Sequence, residues 1–225
     1  DIPAQIEALK YTNSIMKKYP DSKFILGGHS KGGNVAVYAA INTSLENKER
    51  ILKVLNYDGP GFPEEIIESE KFIQVKEKIH TYLPQESIIG RIMEQGGKVT
   101  VVTSTEKNIY QHDIYSWQLI AKKFNKQKKP NQKSEIVYKS LRKYLQETEA
   151  KNRKKVVDLI FKIFLDSDFE TFAEIGENKA ENVIKIIGQV RELKKEDRDL
   201  IIKMLSELAK IYITTRNKNI RKIRK

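Results

Sequence analysis

The stretch Lys23-Phe24-Ile25-Leu26-Gly27, followed by Gly28-His29-Ser30-Lys31-Gly32, constrains this chain more than any other. An apolar run of strand length stops at a serine between glycines, and the small residues Gly33, Ala36, Ala39 and Ala40 follow at helical spacing. The pattern predicts a buried strand, a tight turn and a helix that lies close to a sheet. A serine is inert as a nucleophile until its hydroxyl is exposed, oriented and set next to a base. A turn of this kind supplies the exposure and the orientation. Gly28 and Gly32 are expected to keep strand and helix close without a side-chain clash. The amide of Lys31, at the start of the helix, is expected to face the place where an oxyanion would form. A phosphate loop does not fit, because it needs Gly-Lys-Ser/Thr and wider glycine spacing.

Around this feature the periodicity predicts alternating helices and strands. Ile2, Ile6, Leu9 and Met16 fall near one face of an opening helix that Pro20 and Asp21 stop. Ile51 to Tyr57 reads as a second strand, ending in the loop Asp58-Gly59-Pro60-Gly61-Phe62. Residues 64–78 read as a helix, Ile79 to Leu83 as a third strand closed by Pro84, and Val99 to Ser104 as a fourth. A helix is expected to begin near Tyr115. Such alternation implies right-handed crossovers and a mostly parallel sheet, an α/β domain over residues 1–125. Residues 126–133, basic and containing Pro130, read as a linker, and residues 134–225 as a helical region. In that region Val156, Val157, Ile160, Phe161 and Phe164 mark one amphipathic helix, and Val183, Ile186, Ile187 and Val190 another. Ile201, Met204, Leu205, Leu208, Ile211 and Tyr212 predict a last helix over 196–214.

The segment Gly27-Gly28-His29-Ser30-Lys31-Gly32-Gly33-Asn34 resembles the nucleophile elbow of class 3 lipases and of lipase-like bacterial families of the α/β-hydrolase fold. The resemblance covers residues 1–125. It implies an esterase, a lipase or a related acyl hydrolase that acts on a small-molecule or lipid ester, with no metal or organic cofactor. It also implies the order serine, acid, histidine along the chain. Of the three histidines, His29 sits inside the turn, where it packs or orients, and His80 lies within a strand. His112 follows the last strand of the α/β domain on a polar loop, where this fold places its general base.

Asp58 is expected to hold the His112 ring, with Glu86 as the alternative. Asp58 ends the second strand, and its loop is similar to the aspartate loop of pancreatic-type lipases. Glu86, in Leu83-Pro84-Gln85-Glu86-Ser87, fits the place where class 3 lipases keep their aspartate. Asp113, next to His112, is expected to point away. The same resemblance places another strand, and a second oxyanion donor, upstream of the turn. Only a helix precedes Phe24, so the expectation is a piece of a longer protein, a sheet completed by another chain, or a reduced domain lacking its N-terminal strands. In each case the oxyanion hole would be half built, and an unpaired edge near residue 24 would invite association between copies.

Composition bounds the rest. With 39% hydrophobic and 32% charged residues and no apolar run near the roughly 18 residues of a membrane span, a folded, water-facing domain is expected. The absence of cysteine removes disulfides and thiolate metal sites and agrees with a reducing, cytoplasmic setting. The net charge of +12 is spread along the chain among acids and reads as solvated surface. Its clearest cluster is Arg216, Lys218, Arg221, Lys222, Arg224 and Lys225. An anionic lipid surface suits that cluster better than nucleic acid, because aromatic residues that could stack on bases are sparse there.

Overall fold

The computed structural model describes residues 2–149, 151–152, 155, 159 and 179–223. The chain divides into two compact units, Asp1–Tyr138 and Lys139–Lys225. In the first unit helix α1 (Pro3–Lys18) has Pro3 at its first position, where a missing N–H costs nothing. Strand β1 (Phe24–His29) leads through Ser30 into α2 (Lys31–Asn42). A short helix α3 (Leu45–Arg50), capped by the Ser44 side chain, precedes β2 (Ile51–Tyr57). Residues 64–78 do not form one helix. They break into α4 (Glu64–Ile67), α5 (Glu70–Ile73) and a 3-10 turn Lys76–Lys78, because the Ser69 side chain caps Phe72 N and restarts the helix.

Strands β3 (Ile79–Pro84) and β4 (Lys98–Val102) complete a parallel set in the order β1-β2-β3-β4. The helix expected near Tyr115 is absent. The chain instead makes 3-10 turns at Asn108–His112 and Ile114–Ser116, then a hairpin of β5 (Leu119–Ile120) and β6 (Lys123–Phe124). Packing overrides the local pattern here: Trp117 packs at an angle on Tyr57 and Phe124 on Tyr57 and Tyr82, with ring centroids 5.4–6.2 Å apart. The expected linker 126–133 also differs. Lys126–Gln127 is an edge strand, β7, antiparallel to β4, and its lysine-rich composition is that of a guarded sheet edge. Helix α6 (Gln132–Glu147) follows at once, with Asn131 Oδ1 accepting from Ser134 N at 2.8 Å.

The core lies between one face of the sheet and the helices. Ala36, Val37, Ala40 and Ile41 of α2 pack with Met16, Ile51, Val54, Phe72, Val75 and Ile79. The small side chains let α2 approach β1 and β2 closely. Strand β1 is half-buried, not buried: its burial alternates, with Ile25 58% exposed, and among the described residues it is an edge strand paired with β2.

In the second unit α7 (Lys179–Glu192) and α8 (Lys195–Ile223) are the long helices. Tyr144 and Met204 form one buried cluster with Leu200, Leu208 and Ile211. Leu159 and Ile201 form another with Ile186 and Val190. The helix expected from Val156, Val157, Ile160, Phe161 and Phe164 lies outside the described residues, as do the side chains of Val183 and of the basic cluster beyond Arg216. No helix among the described residues is long and apolar enough to cross a membrane.

Candidate functional site

In a parallel sheet every strand delivers its C-terminal end to one edge, and here that edge collects the polar side chains singled out by sequence. Ser30 follows β1, Asp58 follows β2, Glu86 and Ser87 follow β3, and His112 closes the loop after β4. Ser30 adopts φ 55° and ψ −127°, outside the regions a serine ordinarily occupies. Such strain costs about 1–3 kcal/mol and persists only where the surroundings impose it. They do so here. Ser30 N donates to Tyr57 O at 2.8 Å, and Gly33 N donates back to Ser30 O at 3.0 Å. A Cβ on Gly28 would come within 2.4 Å of the Gly32 backbone, so the turn closes only with glycine at 28. At Gly32 itself a Cβ would meet nothing within 4 Å. The expected need for glycine at 32 is thus not steric. Gly33 carries that role, since its Cβ would lie 2.0 Å from Asn56 Oδ1.

Asp58 is the carboxylate that meets the imidazole. His112 Nδ1 lies 2.7 Å from Asp58 Oδ2, with the Asp58 side chain 1% and the His112 side chain 19% exposed. The other oxygen of Asp58 accepts from the Ser87 hydroxyl and from Gly90 N. Burial pushes the Asp58 carboxyl above its ordinary range, opposed by the hydrogen bonds from His112 and Ser87. Glu86 does not reach His112. Its carboxylate accepts from Asn108 N and from Asn131 Nδ2, which braces the loop after β4 against the start of α6. Asp113 is exposed and caps Tyr115 N at 2.9 Å, away from the imidazole as expected. His80 sits in β3, its pKa lowered by burial and by Lys53 and Lys98.

The histidine loop is held from two sides. His29 Nε2 donates to the carbonyl oxygen of His112 at 2.7 Å, and the two rings lie 4.5 Å apart between centroids. On the other side Trp117 Nε1 donates to Gln111 O at 2.8 Å. Gln111, 1% exposed, bridges Glu86 N and Glu106 O with its side-chain amide. The Asp58 loop is braced in the same way. Asn56 Oδ1 accepts from Gly59 N, Gln95 Nε2 donates to Gly59 O and Gly90 O, and Asn34 Nδ2 donates to Pro60 O. Ser87, Gln95, Gln111, Asn34 and Asn56 carried no signal in the sequence, because their partners lie 25 or more positions away or depend on loop shape.

The Ser30 hydroxyl makes no hydrogen bond among the described residues, so no bond joins it to His112 Nε2. In ligand-free sites such bonds are often long and tighten only with substrate. The Lys31 amide, at the N-terminus of α2, has no acceptor among the described residues. Hydroxyl, imidazole, buried carboxylate and an unsatisfied helix-terminal N–H thus share one edge of the sheet. Among the described residues no group of three or more His, Asp or Glu side chains could hold a metal ion.

A family model described as Mbeg1-like matches residues 1–162. No curated protein and no solved structure matches the chain. Since the matched residues make up well over half of its 225, the chain belongs to the Mbeg1-like family.

Proposed function

We propose that the first unit is an α/β-hydrolase-type core and that the protein is a serine acyl hydrolase acting on a small-molecule or lipid ester. The observation that carries this reading is the 2.7 Å contact between Asp58 and His112 Nδ1 at the strand ends beside the left-handed Ser30. Asp58 fixes the tautomer that leaves His112 Nε2 free to accept a proton. His112 Nε2 takes the Ser30 proton as Oγ bonds to the substrate carbonyl carbon. The oxyanion so formed accepts from the Lys31 amide. The tetrahedral species collapses, the carbon–oxygen bond to the alcohol breaks, and His112 returns the proton to the leaving oxygen. Water then attacks the acyl carbon, giving its proton to His112, and the carboxylic acid leaves as Ser30 Oγ is reprotonated. No cofactor enters this sequence.

The missing bond between Ser30 Oγ and His112 favours a second reading, a binding module that keeps the fold without the chemistry. Covalent labelling with a fluorophosphonate separates the two. The first reading expects an adduct on Ser30 that Ser30→Ala abolishes. A folded full-length protein that gives no Ser30 adduct overturns it and leaves the binding module.

A further inference from the structure

The hairpin β5–β6 exposes two adjacent aliphatic side chains close to the candidate site. Its base is tied to Thr103, the residue after β4: Gln118 N donates to Thr103 O at 2.9 Å and Thr103 N to Asn125 O at 2.9 Å. Trp117 and Phe124 root it against Tyr57, the neighbour of Asp58. Beyond that root its side chains are exposed among the described residues. Leu119 and Ile120 are each 62% exposed, and Tyr115, three residues past His112, is 95% exposed. The turn at its tip holds Ala121 at φ 48° and Lys122 at φ 64°. Asn-Gly is the usual choice for such a two-residue turn. From Ile114 to Asn131 the chain has five lysines (122, 123, 126, 128 and 129) and no acidic residue. All five are exposed, and none makes an ion pair among the described residues.

An exposed apolar tip flanked by unneutralised lysines has the composition of an interfacial anchor: the aliphatic chains enter the acyl boundary and the ammonium groups meet anionic headgroups. We propose that the β5–β6 hairpin docks the protein on an anionic phospholipid surface, with Leu119 and Ile120 as the inserting residues and Lys122 and Lys123 as headgroup contacts. Nucleic acid is the weaker fit. It would use the lysines and could stack on the exposed Tyr115, but it would leave two adjacent aliphatic side chains unexplained, and Trp117 and Phe124 are committed to packing. Docking here would set the strand ends carrying Ser30, Asp58 and His112 near the membrane surface. The docking itself does not depend on those residues being catalytic.

Vesicle flotation with the full-length protein tests the proposal. Phosphatidylcholine vesicles containing about one-third phosphatidylserine should carry the protein at low salt, pure phosphatidylcholine should not, and added salt should release it. Leu119→Ser/Ile120→Ser and Lys122→Glu/Lys123→Glu should each weaken binding by about tenfold or more. Both leave the basic end of α8 intact, so variants that bind as the parent does overturn the hairpin as the anchor. Failure of the parent to bind acidic vesicles, or binding to duplex DNA alone, also overturns it. Should a double variant fail to fold, Ile120→Trp reports independently. Its added emission should shift blue on acidic vesicles, and an unshifted spectrum overturns the proposal.

Discussion

His112 Nδ1 meets Asp58 Oδ2 at 2.7 Å across 54 positions of sequence, while Glu86, closer in sequence to the histidine, is spent on Asn108 and Asn131. Asp58→Asn keeps an acceptor for Ser87 and Gly90 but turns an amide N–H toward Nδ1, which favours the wrong imidazole tautomer. Fluorophosphonate labelling of Ser30 should then slow by about 10,000-fold. Glu86→Gln should leave the rate within about tenfold, since it acts on the loop and not on the ring. Equal losses in the two variants would mean that the loop, not the carboxylate, governs His112.

The burial of Asp58 has a consequence for stability. Its carboxyl is held above the ordinary range by desolvation, so between the unfolded and folded values the native state binds more protons than the unfolded chain. Its contribution is full at low pH and declines as pH rises through that window. Asp58→Asn removes this dependence. Melting curves should show the variant gaining on the parent as pH rises above the ordinary carboxylate range. A shift the other way would mean that the bonds from His112 and Ser87 outweigh the burial.

His29 holds the main chain of His112, and its ring covers the imidazole. His29→Leu removes the donor and should slow Ser30 labelling by about 10- to 100-fold through misplacement of the base. His29→Gln places an amide N–H near the position of Nε2 and should restore most of the rate. A leucine variant that labels at the parental rate would exclude this positioning role.

The glycines of the turn should separate cleanly. Gly28→Ala forces a Cβ against the Gly32 backbone and should destabilise the fold by about 2 kcal/mol or more. Gly32→Ala meets open space inside α2 and should be neutral or stabilising by up to about 1 kcal/mol. Denaturant midpoints measure both, and similar losses would contradict the geometry of the turn.

The parts whose cause is local were legible along the chain. Apolar runs gave β2, β3 and β4 within a residue or two, small residues marked the buried face of α2, and the glycine at 28 marked the turn that holds Ser30. The serine and the two other polar groups brought to the strand ends also follow chain order, because each parallel strand ends at the same edge. The chain order favoured Asp58 over Glu86 without excluding the latter, since both follow strands; in the tertiary structure Ser87 and Gly90 hold Asp58 against His112. Tertiary structure also turned the expected helix after Tyr115 into a hairpin and the expected linker into an edge strand. In both, ring packing and backbone pairing between residues far apart outweighed weak local preference, which no window along the chain contains.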